Sequence, residues 1–385
     1  MLNSAFKYSL PAFISLVMSI LAVLSIYTNA RYVNGPDSEY VIYFLADSFI
    51  TFFFFFIFCL GCKKYFIQNV NNLEKIYAPI IRKIFPLITL VVGISLYTAF
   101  LFLKDYLSSQ NLIELIESSR QNSYFTLLTR RIIEFFFAIS LIYKLGWKST
   151  ILLSLGIISL TISSLSRSEL LITCWFVLIL LAFSNKLNFK IIVKYSFFFT
   201  ILLVASAAIT YYQGRSATLY SGVENVLDSL LRYRIYAVYL SELAITTSGD
   251  VDKWAFPFFG FLSERLISIF SDIPKPISTS GSSFVGDFIT IHNGDSVNAL
   301  YPWWAWFVGV FGILGLIVKN VFSFFTLYLL VRLKLTGTFF YSVFLIVYYQ
   351  FQRHPILNTS DFYGLVSFLI LDIVIIFYPK GSFRK

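Results

Sequence analysis

Charge is scarce in this sequence: only 13% of its 385 residues are Asp, Glu, Lys or Arg, and two are histidine. A soluble domain carries about a quarter of its residues charged, so a water-soluble globular fold is excluded. His292 and His354 are too few for a histidine-rich metal centre, although a carboxylate site remains open and no metal is expected. The three cysteines, Cys59, Cys62 and Cys174, lie in or beside apolar runs, so the fold needs no disulfides even in an oxidising compartment. Cys59 and Cys62 have redox spacing without a thioredoxin-like context. Zinc-protease, P-loop and dinucleotide signatures are missing, so no cofactor is expected. Nothing repeats at a fixed period, and no inverted pair of Gly/Pro-broken spans of the transporter sort is present.

What fills the chain instead is hydrocarbon. Hydrophobic residues make up 58% of it, and the mean hydropathy is +0.77. A helix needs roughly 20 apolar residues to cross a bilayer, and the sequence has many continuous runs of that order. A β-barrel would alternate in short segments, so the expected class is an all-α polytopic membrane protein. The expected spans cover residues 8–28, 40–61, 84–103, 124–145, 150–164, 170–183, 191–212, 303–331, 337–349 and 362–378, about ten in all. The first is too long for a signal-peptide core. The eighth is unusually long and interrupted by Lys319 and Asn320. Spans one to seven thus occupy residues 1–212, one large polar loop residues 213–302, and spans eight to ten residues 303–385. A basic loop carrying Lys63, Lys64, Lys75, Arg82 and Lys83 follows the second span, and a smaller polar loop, residues 104–122, the third.

Lysines and arginines near helix ends orient the bundle. A cytoplasmic N-terminus puts 17 basic residues inside and 13 outside, with 17 of the 20 acidic residues outside. The large loop then faces out. The net charge of +10 reports this topology, and nucleic acid is not an expected partner. One asymmetry exceeds what topology requires. Inside, 14 of the 17 basic residues are lysine; outside, 10 of the 13 are arginine. A guanidinium clamps phosphate with a planar fork where lysine offers a point charge. The outward arginines therefore suit either a phosphorylated ligand at the outer leaflet or ion pairs with the abundant outer carboxylates.

Arg167 stands on the turn between the fifth and sixth spans, and Arg215 at the end of the seventh. Arg130 and Glu134, one helical turn apart, are expected to pair. In the large loop, the apolar spacing of residues 223–245 predicts an amphipathic helix bearing Arg232 and Arg234, about 200° apart on its surface. Residues 259–270 predict a second one. Residues 278–298, rich in Ser, Gly, Asp and Asn, predict a mobile loop. Lys319 and Asp372, buried in the cytoplasmic halves of their spans, are expected to pair structurally or to relay protons in a transporter.

About ten spans, a dominant outer loop late in the chain and three short passages resemble the Wzy-type O-antigen polymerases. The passages are Ser163-Ser-Leu-Ser-Arg167-Ser-Glu-Leu170, Leu231-Arg-Tyr-Arg234, and Asn298-Ala-Leu-Tyr-Pro302 running into Gly309-x-x-Gly312. The resemblance implies a GT-C-like glycosyltransferase of the bacterial inner membrane, acting in lipopolysaccharide biosynthesis. It would move a growing glycan from undecaprenyl pyrophosphate to the next lipid-linked repeat unit at the periplasmic face, among membrane lipids and with a chain-length co-polymerase as partner. Arg167, Arg215, Arg232 and Arg234 are the candidates for the pyrophosphate, where positive charge stabilises the leaving group. His292 and Asp287 are the candidates for the base that takes the attacking hydroxyl's proton. Two alternatives stay open: an O-antigen ligase, which shares architecture and leaving group, and a lipid-linked oligosaccharide flippase or ion-coupled transporter, which would place its essential charges within the spans.

Overall fold

The computed structural model describes residues 2–29, 35–108, 124–164, 168–184, 186, 200, 203–204, 206–208, 211, 217–248, 254–267, 269–270, 289–290, 296–297, 300–357 and 359–377. Most of them are helical. Among the described residues, four apolar segments are long enough to cross a membrane: Ala5–Thr28, Ser38–Gly61, Phe85–Lys104 and Trp303–Arg332. The chain is thus a predominantly helical membrane protein. By its contacts it divides into two compact units.

The first unit comprises Met1–Lys63, Leu227–Leu329 and Ser342–Phe362. Helices α1 (Leu2–Thr28) and α2 (Ser38–Gly61) pack along their lengths. Glu39 in the first turn of α2 suits the positive end of the helix dipole. The residues expected to form the large loop enter this unit as ordered helices, α9 (Leu219–Tyr239), α10 (Ser241–Ser248), α11 (Phe256–Phe259) and α12 (Phe261–Ile267). The expected second amphipathic helix is therefore two short ones, because Gly260 adopts φ +52° between them. A Cβ there would lie 1.9 Å from the Ile356 carbonyl oxygen, so only glycine fits. Part of the expected mobile loop is a two-stranded antiparallel ladder, β1 (Ile289–Thr290) with β2 (Ser296–Val297), Ile289 opposite Val297; the remaining residues of 278–298 lie outside the described ones.

The expected eighth span is broken. Helix α13 (Trp303–Phe311) ends at Gly312, whose φ of +59° no helix tolerates, and α14 (Gly315–Arg332) begins after a 3₁₀ turn. A Cβ on Gly315 would lie 2.2 Å from the carbonyl oxygen of Phe307. In a straight helix those residues stand about 12 Å apart along the axis. The chain therefore turns sharply, and the interruption lies at Gly312 rather than at Lys319 and Asn320, which sit inside α14. The core of this unit joins Val23 and Ile26 near one end of α1, Phe44 of α2, Ile235 of α9 and Trp304 and Trp306 of α13.

The second unit comprises Lys64–Val226, Leu330–Tyr341 and Tyr363–Lys385. The expected basic loop is helical here: α3 (Lys63–Asn72), a π-turn Leu73–Tyr77 and α4 (Ala78–Lys83). Phe66, Asn69, Leu73, Tyr77 and Ile81 recur every three or four residues and are buried, the stripe that makes this segment a helix. Then follow α5 (Phe85–Ser108), α6 (Tyr124–Tyr143), α7 (Trp147–Ser164) and α8 (Ser168–Phe183). Two further described helices, α15 (Thr336–Val347) and α16 (Thr359–Phe377), contribute Thr336–Tyr341 and Tyr363–Phe377 to this unit. Ring contacts knit the unit's core, with Phe135 of α6 lying 5.7 Å from Phe176 and 5.2 Å from Phe368.

Candidate functional site

The strongest concentration of polar groups in a dry environment lies in the first unit. Helix α9 turns one basic side chain outward and one inward. Arg232 is ion-paired with Asp228 one turn before it, both partly exposed. Arg234, on another face, is fully buried. Its Nη1 donates to the Ser15 carbonyl (2.9 Å) and the Ser19 hydroxyl (2.6 Å), and its Nη2 donates to the Ser15 hydroxyl (2.8 Å). The guanidinium carbon also lies 4.8 Å from the centre of the Phe351 ring. Every described partner of Arg234 is neutral, so this is a buried cation held by dipoles and an aromatic face.

Lys319 approaches the same ring, with Nζ 5.9 Å from its centre. It forms a fully buried salt bridge with Asp47 of α2 and also donates to Thr51 Oγ1 at 3.3 Å. Asn320 donates to Asp47 Oδ1 (3.3 Å) and accepts from Thr51 Oγ1 (3.0 Å), while Gln350 Nε2 donates to Thr51 Oγ1 (3.4 Å). Asp47 Oδ2 and Gln350 Oε1 have no hydrogen-bond partner among the described residues.

This network corrects the expected Lys319–Asp372 pair. Asp372 instead caps the start of α15: its carboxylate accepts from the Gly337 N–H (2.9 Å), the Thr338 N–H (2.8 Å), the Thr338 hydroxyl (2.7 Å) and Tyr77. A carboxylate at a helix N-terminus satisfies orphan donors and favours the dipole. The expected Arg130–Glu134 pair is also altered. Arg131 Nη1 donates to both Glu134 oxygens, at 2.9 and 3.0 Å.

A third polar knot ties residues 352–357 to α11. The Ile356 N–H donates to His354 Nδ1 (3.0 Å), so the ring proton is on Nε2, which donates to the Pro257 carbonyl (3.0 Å). Trp303 Nε1 donates to the same oxygen at 2.7 Å. Burial lowers the His354 pKa to about 3, and the nearby Arg353 charge pushes it the same way. The unfolded chain binds that proton near pH 6.5. Stability from this group is therefore full above about pH 6.5 and is lost as pH falls toward 3, by about 2 kcal/mol at pH 5. The melting temperature in detergent is expected to drop between pH 7.5 and 5 in the native protein and to drop less in His354→Gln; equal slopes would refute this assignment.

Of the candidate site residues, Arg232 and Arg234 are described and do not converge. Arg167, Arg215, His292 and Asp287 lie outside the described residues. Sequence reasoning missed Asp47 as the partner of Lys319, and Ser15 and Ser19 as the seat of Arg234. Ser15 and Ser19 stand four apart on one face of α1, but Ser9 and Ser25 share that helix, so the sequence did not single them out. Among the described residues no group of three His, Cys, Asp or Glu could hold a metal ion. Comparison of the chain with protein-family models, curated proteins and solved structures gives no match.

Proposed function

We propose that this chain is an O-antigen polymerase of the bacterial inner membrane, a GT-C-like glycosyltransferase with about ten spans that joins undecaprenyl-pyrophosphate-linked repeat units at the periplasmic face. The observation that carries the reading is the seating of the segment between the seventh and eighth expected spans. Its described helices are packed into the unit: Ile235, Tyr236, Ala244 and Phe256 share one core with Ala22 and Ile26 of α1 and Val41 of α2. A polymerase needs such a rigid polar body at the level of the carrier lipid's headgroup, because both substrates are anchored there. The arginine-for-lysine bias of the outward segments supports the same reading.

The chemistry is substitution at a sugar's anomeric carbon. A hydroxyl of the incoming unit forms the new glycosidic bond, the bond from that carbon to pyrophosphate oxygen breaks, and undecaprenyl pyrophosphate leaves. Arg167, Arg215 and Arg232 would stabilise the charge on the departing pyrophosphate, and Asp287 or His292 would take the hydroxyl proton. A chain-length co-polymerase is the protein partner that goes with this role.

Deleting the gene in its host is expected to collapse the lipopolysaccharide ladder to core plus a single repeat unit, and Arg215→Ala or Arg232→Ala at normal protein level is expected to do the same. Unaltered ladders from both variants would remove the arginines from the reaction. A deletion strain with no repeat unit on the core would favour a ligase if the lipid-linked units accumulate facing out, and a flippase if they accumulate facing in.

A further inference from the structure

Helices α11 and α12 carry large apolar side chains on their outside. Phe259 and Leu266 are exposed on the helices, and in the turn after α12 Ile269 is 71% exposed and Phe270 87% exposed. Between the helices and water such residues are costly, at about 25 cal/mol per Å² of apolar surface. The place where α11 sits decides what covers them. The Phe258 ring lies 5.0 Å from Phe307 and 5.9 Å from Phe311 of α13, and 5.1 Å from Phe322 of α14. The Phe259 ring meets Phe322 as well, at 6.4 Å.

Phe322 is seven residues beyond the start of α14, about 10 Å along its axis. Helix α14 has 18 residues, about 27 Å, which is close to the roughly 30 Å thickness of a hydrocarbon core. An element that meets α14 at Phe322 is therefore at hydrocarbon depth. The neighbouring face of α14 agrees, since Ile317, Val321, Phe325 and Leu329 recur every four residues and are all exposed. That stripe is the surface a spanning helix turns toward lipid. The turn between α13 and α14 extends it, with Ile313 63% and Leu314 64% exposed, and residues 303–318 contain no polar side chain except the tryptophan N–H groups.

We propose that α11, α12 and the turn at Ile269 and Phe270 form a membrane-inserted, non-spanning arm whose partner is the hydrocarbon edge of the bilayer. The arm prolongs the lipid-facing stripe of α14 sideways. Exposed Arg265, in the last turn of α12, can keep its charge at the headgroups while its stem lies along the apolar face. The consequence is that the polar segment between spans is fixed against the membrane at a second place, beside the span that follows it.

Spin labels on single cysteines in the full-length protein test this, with Cys59, Cys62 and Cys174 replaced by alanine and the protein reconstituted in phosphatidylethanolamine–phosphatidylglycerol vesicles. Labels at Ile269, Phe270 and Leu314 are compared with Phe325 on the lipid-facing stripe and with exposed Glu242 on α10. All three side chains point outward, so the substitutions leave the packing intact. The arm is inserted when labels at 269 and 270 collide with oxygen far more than with a water-soluble nickel chelate, as at 325. Collision rates like those at 242 overturn the proposal. So does exclusion of both reagents at 269 and 270, which would mean that a second copy or another protein covers the patch.

Discussion

Arg234→Ala is expected to cost the folded protein about 3 kcal/mol and to lower its melting temperature in detergent by several degrees. Three hydrogen bonds from a charged donor disappear, each of a kind worth roughly 1.5–3 kcal/mol. The space of a fully buried guanidinium is left between α9 and α1, and a cavity adds its own cost. Against these stands the relief of a buried cation with no carboxylate beside it, which is why the net loss is far smaller than the sum. Arg234→Met separates the contributions, because it fills most of the volume and removes the charge. It is expected to recover most of the stability, as replacing buried ionic groups by well-packed apolar ones does elsewhere. That variant also decides the role of the residue. Polymer made by Arg234→Met identifies an arginine that only fastens α9 to α1; loss of polymer at normal protein level places the guanidinium on the substrate. A native melting temperature for Arg234→Ala would refute the packing argument itself.

The same residue marks how far the sequence could be read. The class of the protein follows from length and hydropathy alone, because α1, α2 and α5 are formed by runs whose apolar surface has no other stable environment. Helix α9 was legible from its period, and so was the divergence of Arg232 and Arg234, which the structure realises as one surface ion pair and one buried cation. The partners were not legible. Ser15 and Asp47 lie more than two hundred residues from Arg234 and Lys319, and periodicity carries no information about which helix faces which. The break at Gly312 escaped for a different reason: hydropathy averages over residues, and a glycine with positive φ leaves the average unchanged. Residues 63–83 misled in the opposite direction, since five basic residues hid a buried stripe at helical spacing. Four of the six candidate site residues fall outside the described structure, so their chemistry still rests on the sequence.

Asp47 and Lys319 give the second large effect, and its sign pattern is specific. Each single replacement, Asp47→Asn or Lys319→Gln, leaves one full charge in a place where both partners are wholly enclosed. Removing one member of a buried pair costs about 3–5 kcal/mol, chiefly as the penalty on the charge left behind. The double replacement Asp47→Asn with Lys319→Gln has no charge to strand, and Thr51, Asn320 and Gln350 remain as neutral partners. It is therefore expected to be more stable than either single variant, a positive coupling of about 2 kcal/mol or more in a double-mutant cycle. Asp372→Asn sets no charge free on Lys319, because Asp372 belongs to the cap of α15, so its effect should simply add to that of Lys319→Gln. The cycle also weighs enzyme against transporter. In a polymerase whose chemistry lies on the segment between spans, a stable double variant keeps making polymer, because the pair only locks α2 to α14. In an ion-coupled transporter the same variant is folded and dead, since the charges that it lacks are the ones that would carry the coupling.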